Sequence, residues 1–268
     1  MIECVLNISE GSNYAALTDL ANLSSRSLLD LHFDPHHNRS VFTLAGDHLL
    51  EDLMEMTLYC AAHLNIDSHS GVHPRLGIID VAPFIPKMGS SFDEAEAMRQ
   101  AFAEFLAREL DVPSFYYGKE RSLPYVRKHA FQGLMPDIGP QESHKFLGAS
   151  CLGVRSPLIA YNLVLDTDIE SAKRLAASIR SSDVRALAFK VGEYVQLSTN
   201  LINPGSYGPL DLYFDIRKAF RILKGEMVGV IDDEYLAQIP ERFRPTLDIY
   251  YEDTFQSRLR NGYEPPLI

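Results

Sequence analysis

The strongest constraint on this 268-residue chain is an order of elements that occurs twice. Residues 3–8 are apolar and β-prone and predict a strand, and residues 13–23 carry apolar side chains at helical spacing behind Ser12, a candidate cap. Residues 27–33 and 40–45 predict two further strands around the turn Asp34-Pro35-His36-His37-Asn38-Arg39. A long helix is expected over 47–65, with Leu49, Leu50, Leu53, Met54 and Leu58 on one side, and the apolar run 76–81 predicts a short buried strand. That completes β-α-β-β-α-β. The order returns as strand 157–166, helix 168–181 capped by Asp168, strands 184–191 and 194–201, helix 209–223 and strand 227–231. The expected class is α+β: two ferredoxin-like β-α-β-β-α-β subdomains, at residues 1–167 and 168–268, packed with a cleft between them. No sequence repeat accompanies the repeated order, so the duplication rests on the elements alone.

Between the two units the pattern predicts a helix over 92–110, a short strand over 113–117, and a helix and turn over 120–134 interrupted by Pro124. Residues 136–148, rich in glycine, proline and polar side chains, predict a loop long enough to reach a site. The C-terminal stretch with Pro240, Pro245, Pro265 and Pro266 predicts a tail wrapping the body.

Charge narrows the partners. A formal net charge of −11 argues against nucleic acid or a membrane surface, both of which require a basic face, but leaves room for an anionic small molecule held by local arginines. Cys4, Cys60 and Cys151 are few, odd in number and widely spaced, which predicts neither a disulfide framework nor a CxxC metal site. Met1 leads almost directly into a strand-like run and no apolar stretch has membrane-spanning length, so a cytoplasmic location without a signal peptide is expected.

The chemistry concentrates in residues 69–86, His69-Ser70-Gly71-Val72-His73-Pro74-Arg75-Leu76-Gly77-Ile78-Ile79-Asp80-Val81-Ala82-Pro83-Phe84-Ile85-Pro86. Pro74 biases His73 away from helical geometry. A titratable imidazole and a permanent cation therefore sit together in a stiff loop at the mouth of a strand, where a proton-transfer group could lie beside an anion clamp. A lone loop histidine is more commonly a surface or capping residue, and the loop by itself leaves both readings open. Asn38 and Arg39 offer amide hydrogen bonding and a bidentate fork for carboxylate, although Asp-Pro and Asn are also ordinary turn residues. Glu10-Gly11, Asp137-Ile138-Gly139-Pro140 and Gly153-Val154-Arg155 carry the same ambiguity.

Seven of the nine histidines lie between His32 and His73, which raises a metal site. His69 and His73 have the spacing of a helical zinc pair, but Gly71 and Pro74 argue against a helix there. Asp34, His36 and His37 could contribute, without a familiar spacing. No G-x-S-x-G elbow or phosphate-binding glycine loop occurs, and Cys60 and Cys151 are expected to be packing residues.

Taken together, five segments in order resemble the formiminotransferase domain of glutamate formiminotransferases. They are Asn7-Ile8-Ser9-Glu10-Gly11; Asn38-Arg39-Ser40-Val41; residues 71–77 with Asp80 and Pro83-Phe84-Ile85-Pro86; Pro136-Asp137-Ile138-Gly139-Pro140 leading to Gly153-Val154-Arg155; and Leu158-Ile159-Ala160-Tyr161-Asn162 with Ser198-Thr199-Asn200-Leu201. The match spans roughly residues 3–205, and its most specific part is the His-Pro-Arg segment with the following Pro-Phe-Ile-Pro.

The resemblance implies two α/β subdomains with a folate cleft. It also implies transfer of a formimino group from N-formimino-L-glutamate to N5 of tetrahydrofolate, in histidine degradation, by a homodimer that uses no metal. It maps the catalytic histidine onto His73, which would take a proton from the attacking nitrogen and give one to the departing glutamate nitrogen. Arg155 is implied in charge stabilisation or folate binding, with Tyr161, Asn162 and Glu10 also at the folate. Asn38, Arg39 and Arg75 are candidates for the substrate, the two arginines by their charge. Animal members carry an aspartate where this chain has His32, and Asp34 on the same strand face could replace it catalytically. Three alternatives stay open at this stage: a formyltransferase acting on N-formyl-glutamate, a non-catalytic folate-binding homologue, and a metal hydrolase using His32, Asp34, His36 and His37.

Overall fold

The computed structural model describes residues 1–263 and Pro265 and divides into two compact units, Met1–Ser156 and Pro157–Tyr263. The break thus falls before the first strand of the second unit, not after residue 167 as the sequence suggests. That strand pairs on both sides within the second unit's sheet and cannot be separated from it.

The first unit runs β1 (Ile2–Ile8), α1 (Tyr14–Leu23), β2 (Leu28–Asp34), β3 (Arg39–Ala45), α2 (Leu49–His63), β4 (Ile79–Pro86), α3 (Phe92–Leu110), β5 (Ser114–Tyr117), α4 (Leu123–His129) and β6 (Ser150–Val154). Its six-stranded sheet has the order β2-β3-β1-β4-β6-β5. The first four strands are antiparallel neighbours, the arrangement that two interleaved β-α-β crossovers produce, and β6 and β5 add in parallel beside β4.

Alternation along the strands separates two faces. Cys4, Leu6 and Ile8 of β1 are fully buried, as are Leu17 and Leu20 of α1 and Leu49, Leu53 and Met56 of α2. Phe84 of β4 meets Phe102 of α3 edge-on. The other face carries Glu3, Val5 and Asn7 of β1, Val41 and Thr43 of β3, and Asp30 and His32 of β2, joined across the ladder by the pairs Asn7–Val41, Val5–Thr43, His32–Val41 and Asp30–Thr43. At one end of that face α4 packs through Val126 and Ala130 against Val81, Phe115, Tyr117 and Cys151.

Several local expectations are corrected. Asn13, not Ser12, caps α1, accepting from Ala16 N at 3.2 Å. Pro124 does not interrupt α4 but lies in its first turn, where its missing N–H costs nothing. The strand expected over 76–81 is β4 at 79–86. Residues 76–78 instead form a clamp, with Gly77 wedged against the Leu147 and Ala149 backbones. β6 escapes the sequence pattern because Gly153 and Arg155 suggest a turn. Gly153 is there because the Tyr117 ring occupies the space of its Cβ.

The second unit runs β7 (Ile159–Leu165), α5 (Ile169–Ile179), β8 (Val184–Val191), β9 (Tyr194–Leu201), α6 (Pro209–Ile216) and β10 (Ile222–Val228), with the antiparallel order β10-β7-β9-β8. Asp168 caps α5 as expected, accepting from Ser171 N at 2.8 Å. β10 lies at 222–228 instead of 227–231. Its Lys224-Gly225-Glu226 core reads as a turn, yet Gly225 is what admits the Tyr161 hydroxyl beside the strand. Of the tail, Leu236, Ile239, Leu247 and Ile249 join this unit's core, while Pro266 lies outside the described residues. Among the described residues no helix is long and apolar enough to cross a membrane.

Candidate active site

A one-residue irregularity in β4 builds a buried charged cluster in the first unit. Asn7 pairs with Val81 but Ile8 pairs with Ile79, which leaves Asp80 as the extra residue of a β-bulge. Such a bulge re-aims a side chain. Simple alternation would place Asp80 on the same side as Phe84, against the helices; instead its carboxylate meets Arg39 of β3 and Arg127 of α4.

Asp80 is fully buried. Its Oδ2 accepts from Arg39 Nη1 and from Arg127 Nη2, each at 2.6 Å, and its Oδ1 accepts from Leu76 N at 2.8 Å. Arg39 also donates through Nε and Nη2 to Asn7 Oδ1, at 3.1 and 2.9 Å. Burial works to raise the Asp80 pKa, but the guanidinium groups of Arg39 and Arg127 outweigh it and hold the carboxyl down at about 2. Two cations thus share one carboxylate, so the cluster carries an excess of positive charge.

His73 stands within the field of this cluster. Its Nδ1 lies 2.8 Å from the Pro74 carbonyl, which accepts only if Nδ1 bears the proton, so Nε2 is the basic nitrogen. Burial, then the charge of Arg39 with that of Arg127, pushes the imidazole down to about 3. It is neutral at pH 7. The His37 ring meets it edge-on, with centroids 5.9 Å apart.

The loop carrying His73 is fastened to the β2–β3 turn. Asn38, in left-handed backbone at φ 47°, accepts at Oδ1 from Gly11 N (2.8 Å) and donates from Nδ2 to the Ser70 carbonyl (2.9 Å). Its own carbonyl accepts from His69 Nε2 at 2.8 Å. One side chain and its backbone therefore tie together the loop after β1, the β2–β3 turn and the His73 loop.

Similarity to known proteins bears on what this arrangement is. Residues 1–155 match the formiminotransferase domain, N-terminal subdomain. The glutamate formimidoyltransferase of Streptococcus pyogenes serotype M1 is 30% identical over 94% of this chain and 95% of its own length. That of Thermoplasma acidophilum is 30% identical over 94% and 92%. The chain belongs to the formiminotransferase family. The formimidoyltransferase-cyclodeaminase of Rattus norvegicus is also similar, 30% identical over 85% of this chain, although the match spans only 49% of that longer protein.

With the formiminotransferase frame in place, the residues expected from the sequence sort by position. Arg39 meets Asp80 and His73 stands in the field of that pair, while Asn38 ties the His73 loop to the β2–β3 turn. Arg75 turns back on its own loop, its Nη2 donating to the Gly71 carbonyl at 2.5 Å and the His73 carbonyl at 2.9 Å, so it rigidifies the loop. Asp34 uses Oδ1 to accept from His36 N and His37 N at 2.7 and 2.8 Å, shaping the turn. Glu10 does the same for the entry to α1, accepting from Ser12 N and Asn13 N at 2.8 Å. Both are local turn-makers of the kind acidic side chains commonly form.

Arg155 follows β6, where its backbone N donates to the Phe84 carbonyl at 3.3 Å. That point is four positions along β4 from Asp80, about 13 Å by strand rise. Burial lowers the Arg155 pKa, opposed by Tyr117 and Glu3 beside it. Tyr161 and Asn162 belong to the second unit. Tyr161 is fully buried, its hydroxyl donating to the Leu247 carbonyl at 2.7 Å, and is therefore a core residue. Asn162 donates to Glu226 at 2.9 Å on the opposite face of β7.

Sequence reasoning missed Arg127 altogether. Its only signal is a basic residue on a short helix, and nothing local distinguishes it from Lys128. Among the described residues no group of three or more His, Cys, Asp or Glu is placed to hold a metal ion. Cys60 and Cys151 are buried, and burial pushes both thiols up, Cys151 to about 12.

Proposed function

We propose that this chain transfers the formimino group of N-formimino-L-glutamate to N5 of tetrahydrofolate, with His73 as the group that moves the protons. The observation that carries the reading is the pairing of a neutral, tautomer-fixed imidazole with a cluster in which two guanidinium groups share one carboxylate. A dicarboxylate donor matches that excess of cation. Its arrival also offsets the part of the His73 depression that Arg39 and Arg127 cause, bringing the imidazole toward the range in which it exchanges protons at neutral pH.

The outer part of the sheet face suits a folate, since Asp30 and His32 of β2 place a carboxylate and an imidazole there for a heterocycle rich in donors and acceptors. Tetrahydrofolate supplies the nucleophilic nitrogen. Nε2 of His73 takes the proton released there and returns it to the departing glutamate nitrogen, while Pro74 holds the ring in the required tautomer. Arg155, farther along the sheet, is assigned to the folate. The family relationship supports extending the reading to a cytoplasmic homodimer in histidine degradation.

His73→Ala tests the assignment. Turnover of N-formimino-glutamate with tetrahydrofolate should fall by about 10²–10⁴ with the circular dichroism unchanged. Near-parental activity in that variant would remove His73 from the mechanism. The same assay run with N-formyl-glutamate decides between the two donors.

A further inference from the structure

We propose that Arg127, carried by α4 to the bulge in β4, is a specificity-determining residue that anchors a carboxylate of the donor beside Arg39. The inference rests on the donor reading above and adds to it a residue that no segment of the family resemblance includes.

Four observations converge. The first is direction. Asp80 is wholly buried, whereas the side chains of Arg39 and Arg127 keep 12% and 17% exposure, so the two cations lie between the carboxylate and solvent. The second is proximity: both guanidinium groups reach the same Oδ2 at 2.6 Å, which sets them side by side. Arg127 gives both Nη groups to Asp80, at 3.3 and 2.6 Å, and its Nε edge, which takes no part in that pair, suits a second carboxylate.

The third is rigidity. Ser122 caps α4 at 3.3 Å from Tyr125 N, and the neighbouring Val126 is fully buried in the cluster with Val81 and Cys151, which fixes the rotation of the helix and the origin of the Arg127 side chain. The fourth is elimination. Arg75, the other cation of the His73 loop, is folded onto the carbonyls of Gly71 and His73. The second anchor that a dicarboxylate requires thus falls to Arg127.

The test is calorimetric competition between glutarate, with two carboxylates, and butyrate, with one. The parent protein should prefer glutarate by at least 10-fold, and Arg127→Ala should reduce the preference to below 3-fold. Arg127→Lys, which keeps the charge and loses the fork, should fall between. Should Arg127→Ala not fold, Arg127→Gln and Arg127→Lys are compared in its place. An unchanged preference in the folded variants, an equal loss for both ligands, or no preference in the parent would overturn the anchor. Because binding is read without turnover, a protein that prefers glutarate through Arg127 but does not consume N-formimino-glutamate keeps the anchor and loses only the proposed reaction.

Discussion

Gly71 lies so close to His37 that a Cβ on it would collide with the His37 carbonyl. At this seam the loop bearing His73 lies against the β2–β3 turn, where Val72 N also donates to the His36 carbonyl at 3.3 Å and Asn38 reaches the Ser70 carbonyl. The glycine preceding the His-Pro-Arg segment is required by this close approach.

Gly71→Ala should therefore separate the two loops and move the imidazole away from the Arg39–Asp80 cluster. The seam is at the surface, so stability should drop by about 1 kcal/mol or less, while turnover slows by roughly an order of magnitude or more. Steady-state kinetics and thermal melting of the same sample check it. An unaltered turnover rate would mean the seam does not position His73.

Acid should destabilise the fold in a way that His73 controls. Its folded pKa of about 3 lies below the ordinary histidine value, so below pH 6.5 the unfolded chain binds a proton that the folded chain refuses. Stability is complete above that pH and is lost as pH falls toward 3. Asp80, held at about 2, adds a further loss below pH 4. His73→Gln should flatten the fall in urea midpoint between pH 6.5 and 4, leaving the smaller part due to His69, whose pKa burial also lowers. Identical slopes for parent and variant would refute this account.

Asp80→Asn leaves two guanidinium groups facing each other with no anion between them. Breaking a buried ion pair from one side costs about 3–5 kcal/mol, and the variant is expected to lose about that much in a urea titration at pH 7. A loss below about 1 kcal/mol, the scale of an exposed pair, would show that solvent already screens the cluster.

Arg155→Ala should weaken tetrahydrofolate binding by 10-fold or more while changing the apparent affinity for the glutamate donor less than 2-fold. Arg155 sits at the far end of β4 from Asp80, near Glu3 and Tyr117. Equal effects on both ligands, or none on folate, would argue against a division of the sheet face between them.

Much of this is visible in the sequence wherever periodicity is strong. The helix over 92–110 is placed to the residue, because its apolar positions repeat through five turns and Ser91 and Glu94 close a reciprocal cap at its start. His73, Arg39 and Asn38 are recognisable because a proline-stiffened loop and a turn concentrate unusual side chains. What escapes depends on contacts distant in sequence. β6 and β10 each contain a glycine that suggests a turn until the tyrosine occupying its space is known, Tyr117 in one case and Tyr161 in the other. Tyr161, expected at the folate, lies in the core because its strand parity points it inward. Arg127 is 47 residues from Asp80, and only the fold brings them together.

The extra residue at Asp80 also sets the tolerance of this strand to change in length. Deleting a single residue between Ile79 and Val81 would restore an unbroken ladder with β1 and could even improve its hydrogen bonding. It would also leave Arg39 and Arg127 without their common anion. A shift of the β4 frame would keep the sheet and dismantle the site, so in this part of the chain the spacing of residues matters as much as their identity.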